Sequence, residues 1–197
     1  MILSGDSAIG DSAIKEDRTD PRPSGPRYDK LSSQFFRTSG FASLPVCLSI
    51  EEQARTDFRY LGEQKVHRSL TQVLVFAQHI DPAAVLVLFK AGKWSVPVLL
   101  QGICWINPDN GEIVQMRTEL LAPQPAAELS RVGTRAFFAK VDLSARPSAM
   151  LLPKEVDVWI NAFGRMYFNR HRYADYQVFT VQHRLLPANA PGAAPRP

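Results

Sequence analysis

The sequence predicts a mainly β protein, an antiparallel meander forming one curved sheet or open half-barrel, with little helix. About nine short stretches rich in β-branched and aromatic residues recur between residues 58 and 182, several of them alternating apolar and polar. The links between them are short and carry turn residues: Ala91-Gly92-Lys93, Pro108 to Gly111, and Phe163-Gly164. The strand–helix alternation that marks a parallel α/β fold does not occur in this pattern. Successive short strands joined by tight loops close into a barrel or curl into part of one.

In chain order, residues 1–30 open with a duplicated pentapeptide, Gly5 to Ile9 and Gly10 to Ile14, followed by RTDPRPSGPR. Prolines and charges at that density predict a disordered tail, and the Pro/Ala/Gly-rich residues 187–197 predict another. A single antiparallel β domain is expected between them, residues 31–186. Its expected strands are Phe58 to Leu61, Ser69 to Gln78, Ala84 to Phe89, Val98 to Asn107, Glu112 to Leu121, Thr134 to Val141, Val156 to Asn161, Met166 to Tyr173 and Tyr176 to Gln182. A short helical turn is expected within Ala122 to Arg131, after the prolines.

Two hairpins carry enough turn chemistry to predict register. In GICWINPDNGEIVQMRTELL, Pro108 presets φ, Asp109 and Asn110 suit a type I turn, and Gly111 supplies the positive φ. Ile106 is then expected opposite Ile113, Trp105 opposite Val114, and Ile103 opposite Met116. That pairing puts Trp105, Val114, Met116 and Leu120 on one buried side, with Gln115, Arg117 and Glu119 on the wetter one. Around Phe163-Gly164, Ile160 is expected opposite Tyr167, Val158 opposite Asn169 and Val156 opposite His171. The apolar face of one strand thus meets Tyr/Asn/His on the next. Buried without partners these groups would cost about 1–3 kcal/mol each. Tyr167, Asn169, His171 and the neighbouring Tyr173 are therefore the candidate ligand-binding residues, with a satisfied core network as the alternative.

Composition narrows the function classes. The 197 residues are 45% hydrophobic and 21% charged, ordinary for a globular protein with one good core. The formal charge is +4, and from Arg131 onward ten Lys/Arg stand against four Asp/Glu, an excess of six spread over a solvated face. The apolar runs Ala83 to Phe89 and Val96 to Leu100 are far shorter than the roughly twenty residues a membrane helix needs. The first residues, MILSGDSAIGDSAIKED, carry acids where a signal peptide carries a positive end and an apolar run, so no export signal is expected in them. Cys47 and Cys104 lack CxxC spacing and support neither a zinc site nor a disulfide framework, leaving a single bridge open.

No stretch carries a catalytic or metal-binding signature, and no cofactor or metal is expected. Ser7 and Ser12 stand in GDS strings, but those lie in a repetitive tail without the rigid turn and adjacent base a nucleophile needs. His67, His79, His171 and His183 are far apart in sequence, and His67 and His79 flank opposite ends of one strand. The acidic residues Glu51, Glu52, Asp57 and Glu63 fall in a charged, exposed stretch. RMYFNRHRYADY interleaves aromatic and basic residues as single-strand-binding sheets do, but the register places Asp157 opposite Arg170 and Glu155 near Arg172. Nucleic acid is therefore not the expected partner.

Several blocks in order, GFASLP (40–45), DFRYLGEQ (57–64), VLVFAQ (73–78), the hairpin from Gln101 to Pro123, LPKEV (152–156) and NRHRYADYQVF (169–179), resemble a group of exported bacterial proteins of acidobacterial type. That group in turn looks like the outer-membrane lipoprotein chaperones, whose curved, incompletely closed antiparallel sheet shelters acyl chains. The resemblance implies a periplasmic or secreted, non-enzymatic protein that shelters an apolar ligand, such as a lipid or acyl chain, or a partner segment on a concave sheet. The alternatives are a hydrolase with a loop-borne site and a pure interaction or scaffold module.

Overall fold

A computed structural model of the chain describes residues 2–4, 8–9, 12–13, 37–38, 40–80, 87–91, 94–143 and 149–176. The strands are β1 (Ile2–Ser4), β2 (Ala8–Ile9), β3 (Ser12–Ala13), β4 (Arg37–Thr38), β5 (Thr56–Val66), β6 (Ser69–Gln78), β7 (Val87–Ala91), β8 (Trp94–Val98), β9 (Leu100–Ile106), β10 (Ile113–Leu120), β11 (Leu129–Val141), β12 (Met150–Ala162) and β13 (Arg165–Arg172). Between β4 and β5 lie a 3-10 helical segment, Phe41–Leu48, and one helical turn, α1 (Ile50–Gln53). The helical turn expected after Ala122 is a 3-10 turn at Pro125–Ala127.

The protein is mainly β, and one seven-stranded sheet dominates it. Its order is β13-β12-β11-β10-β9-β6-β5, antiparallel throughout, with its edge strands β5 and β13 unjoined, so the sheet stays open. The meander is broken once. After β6 the chain leaves to form β7 and β8 in a second sheet, ordered β4-β1-β7-β8, and returns at Leu100 beside β6. Gln78 helps fix that return, its Oε1 accepting from the Leu100 backbone N–H at 2.8 Å. The expected single strand from Val98 onward is thus two, split at Leu99 where the chain changes sheets. Pro97 sits in β8, an edge strand, where its missing N–H costs no ladder bond.

Within the segment read as an N-terminal tail, Ile2–Ser4 pairs antiparallel with β7 and parallel with β4, and β2 pairs with β3. The rest of residues 1–30, most of the expected strand Tyr176 to Gln182, and residues 187–197 lie outside the described residues.

One face of the large sheet is buried under the second sheet and the 3-10 segment. Phe41, Leu44, Cys47, Phe89 and Val98 share one apolar cluster with Met116, Val156, Val158 and Ile160. Each such side chain taken fully out of water contributes about 1.5–3 kcal/mol, which makes this layer the main source of stability.

The β9–β10 register differs from expectation by one residue. Gly111 holds the positive φ of 70°, and Ile106 pairs with Ile113, but Val114 bulges out, so Trp105 pairs with Gln115 and Ile103 with Arg117. Cys104, not Trp105, therefore joins Met116 and Leu120 in the core. Trp105 lies half-buried on the open face, its indole N–H donating to Gln64 Oε1 at 2.8 Å. A bulge shifts register without changing loop chemistry, so the turn residues alone could not reveal it. A second bulge, between Phe137 and Phe138, lies opposite Pro153, a residue central strands accept where the ladder is already interrupted.

Candidate functional site

The β12–β13 hairpin turns through Phe163 and Gly164, with φ of 54° and 68°. Positive φ at both central residues gives the twist that a two-residue hairpin loop needs. The register is the expected one: Ile160 opposite Tyr167, Val158 opposite Asn169, Val156 opposite His171, Asp157 opposite Arg170 and Glu155 opposite Arg172. Asn169 and His171 therefore share the core face with two buried valines, and both are half-buried.

Their polar atoms converge on Thr38 of β4, whose side chain is fully buried. Asn169 Nδ2 donates to Thr38 Oγ1 at 3.2 Å, and Thr38 Oγ1 lies 2.7 Å from His171 Nε2. The threonine hydroxyl thus bridges the two side chains, accepting from Asn169 and sharing a hydrogen bond with His171 Nε2. The His171 ring is tilted against Phe41 at 5.1 Å and against Tyr173 at 6.4 Å. Tyr173 stacks on Tyr176 at 6.2 Å, and its backbone N–H donates to the Lys154 carbonyl at 3.0 Å. Tyr167 packs against the core cluster. Asn169 and His171 thus meet β4 at a seam, with Phe41 and Tyr173 against the imidazole and Tyr167 on the same face of β13.

Thr38 and Phe41 were missed from the sequence. Thr38 lies 131 and 133 residues from its partners on a two-residue strand without periodicity; the only signal nearby is the GFASLP block that contains Phe41.

The open face of the large sheet carries an ion-pair lattice. Asp157, whose side chain is 1% exposed, accepts from Arg170 at 2.6 Å and Arg135 at 2.7 Å. The Arg170 hydrogen bond, aided by Arg135 and opposed by burial, holds the Asp157 carboxyl below its ordinary range. Glu155 accepts from Arg172 at 3.2 Å. Burial raises the Glu119 carboxyl, but Arg131 and Arg117 outweigh it and leave a net lowering. Arg117 and Arg131 also stand over the Trp159 ring at 5.6 and 5.5 Å, beside a hollow of about 300 Å³. The indole fits because it lies over Gly133, where a methyl would stand 2.0 Å from Nε1.

The remaining candidates are dispersed. His67 packs on Phe137 at 5.7 Å, His79 pairs with Asp57 at 3.0 Å, and Glu52 lies 3.8 Å from Arg55. His183 and Ser7 lie outside the described residues. No group of three His, Cys, Asp or Glu able to hold a metal occurs among the described residues, nor does a helix long and apolar enough to cross a membrane. Cys47 and Cys104 are free and buried. Burial pushes the Cys47 thiol up to about 12 and Cys104 higher still, so neither supplies a thiolate at neutral pH. The chain matches no family model, no curated protein and no solved structure among those with which it was compared.

Proposed function

We propose that the chain is a non-enzymatic, envelope-associated binding protein that shelters an apolar ligand, a lipid or acyl chain, or an extended partner segment, at the seam between β13 and β4. The observation that carries this reading is the pair Asn169 and His171, polar groups on an apolar face, half open and oriented by one buried hydroxyl among the rings of Phe41, Tyr167 and Tyr173. The middle of the layer is filled by Phe89, Met116 and Val156, so the occupant enters at the rim. The envelope setting and the acyl class rest on the resemblance read in the sequence blocks alone. A scaffold role is the second reading, favoured by the Thr38 bonds, which tie β4 to the sheet edge with or without a ligand.

Native mass spectrometry of the purified protein, before and after incubation with palmitate, tests the first reading. A palmitate adduct that His171→Ala removes while the melting temperature holds supports the binding seam. No adduct, or a destabilised His171→Ala protein that still carries palmitate, overturns it in favour of the scaffold.

A further inference from the structure

The β12–β13 hairpin ends in an exposed apolar tip with no role in the seam. Phe163 is 36% exposed, Met166 75% and Phe168 58%. Met166 and Phe168 alternate with Tyr167 and Asn169 and so stand on the open face of β13, the edge strand, with Arg170 next along it. Phe163 occupies a left-handed turn position that asparagine or glycine fills at lower strain, and its backbone N–H is fixed to the Glu128 carbonyl at 3.0 Å. Beside the tip, Arg165 is exposed and makes no ion pair among the described residues.

We infer that this tip is a docking patch for an anionic lipid surface, with Phe163, Met166 and Phe168 entering the headgroup boundary and Arg165 meeting lipid phosphates. Charge complementarity and the protruding apolar side chains fit that occupant. A single-stranded nucleic acid fits less well. The larger rings it would stack on already carry guanidinium groups: Trp159 those of Arg117 and Arg131, and Phe137 that of Arg135 at 5.6 Å. The patch uses none of the seam residues, so its failure leaves palmitate binding there untouched.

Co-sedimentation with vesicles of phosphatidylcholine alone, and of phosphatidylcholine mixed with phosphatidylglycerol, tests it on the full chain. The protein should bind the mixed vesicles, more weakly as salt rises. Met166→Ser with Phe168→Ser should weaken that binding about tenfold or more at unchanged melting temperature, both residues being exposed. Phe163→Asn, which suits the turn, should weaken it in the same direction, and Arg165→Gln about fivefold. Absence of binding to the mixed vesicles overturns the inference. So does equal binding by all variants, and so does binding of a labelled single-stranded oligonucleotide that the Met166/Phe168 variant weakens while no vesicle binds.

Discussion

Thr38→Val isolates the hydroxyl on which Asn169 and His171 converge. The side chain is fully buried and valine nearly matches its volume, so the packing change is small and the loss is two hydrogen bonds. Bonds of this type contribute about 0.5–1.5 kcal/mol net each, or about 1–3 kcal/mol for the pair. Asn169 and His171 are half-buried, so water recovers part of the loss and about 1–2 kcal/mol is expected. For a chain of 197 residues that lowers the melting temperature by about 2–8 °C. Urea denaturation should show the midpoint falling at constant slope, the mark of a stability change without altered compactness. Combined with His171→Phe, the two changes should couple by about 0.5 kcal/mol or more, because they remove the same bond. A Thr38→Val protein as stable as the parent, or energies that add to within about 0.3 kcal/mol, would refute the shared hydroxyl as the tie between β4 and the sheet edge.

Two further outcomes follow from the open face. Asp157 has its folded pKa lowered, first by the Arg170 hydrogen bond, so its contribution is present above the unfolded value of about 3.9 and is lost as pH falls through the folded one. Asp157→Asn should cost about 1–3 kcal/mol at neutral pH, below the 3–5 kcal/mol of a sealed pair, because the Arg135 and Arg170 heads are 45% and 44% exposed and regain water. It should also flatten the stability curve below about pH 4; parallel acid limbs in the two proteins would sink the assignment. Gly133→Ala sets a methyl 2.0 Å from Trp159 Nε1 and 2.7 Å from Glu119 Oε2, so the indole must shift, at a cost of about 1–3 kcal/mol with altered tryptophan fluorescence. An unchanged emission spectrum and unchanged stability would show that the ring does not rest on Gly133.

The two hairpins show what the sequence could and could not specify. Phe163-Gly164 leaves room for a two-residue loop with both φ positive, and every pair from Ala162–Arg165 to Glu155–Arg172 then follows by counting. Pro108 to Gly111 carries turn chemistry as specific, and Gly111 has its expected φ, yet one bulged residue, Val114, moves Trp105 to the opposite face. Nothing in Glu-Ile-Val-Gln marks that bulge, since Val114 fits a regular strand as well as a bulged one. The second sheet was hidden for a different reason. Its strands are two to five residues long, gathered from three separated parts of the chain, and periodicity has no purchase on segments that short. The candidate residues of β13 were therefore legible, while Thr38, which makes sense of them, was not.

One row of the core face shows why the proposed binding seam was placed at β13 rather than in the middle of the sheet. Thr118, Thr134, Val158 and Asn169 are successive neighbours across β10, β11, β12 and β13. At the centre, Thr118 and Thr134 bond each other at 2.7 Å and are 0% and 5% exposed. Neither can exchange its partner without leaving the other's hydroxyl orphaned in an apolar layer, a loss of about 1–3 kcal/mol that no incoming group can reach to offset. At the edge, Asn169 and His171 are half open, so water or the polar end of the proposed ligand can reach either one, and the buried Thr38 hydroxyl keeps its other partner when one bond exchanges. The same chemistry is thus locked in the centre and exchangeable at the rim. A sheet left open at β13 therefore leaves the polar groups of its core face within reach of solvent, which is the property the proposed binding seam uses.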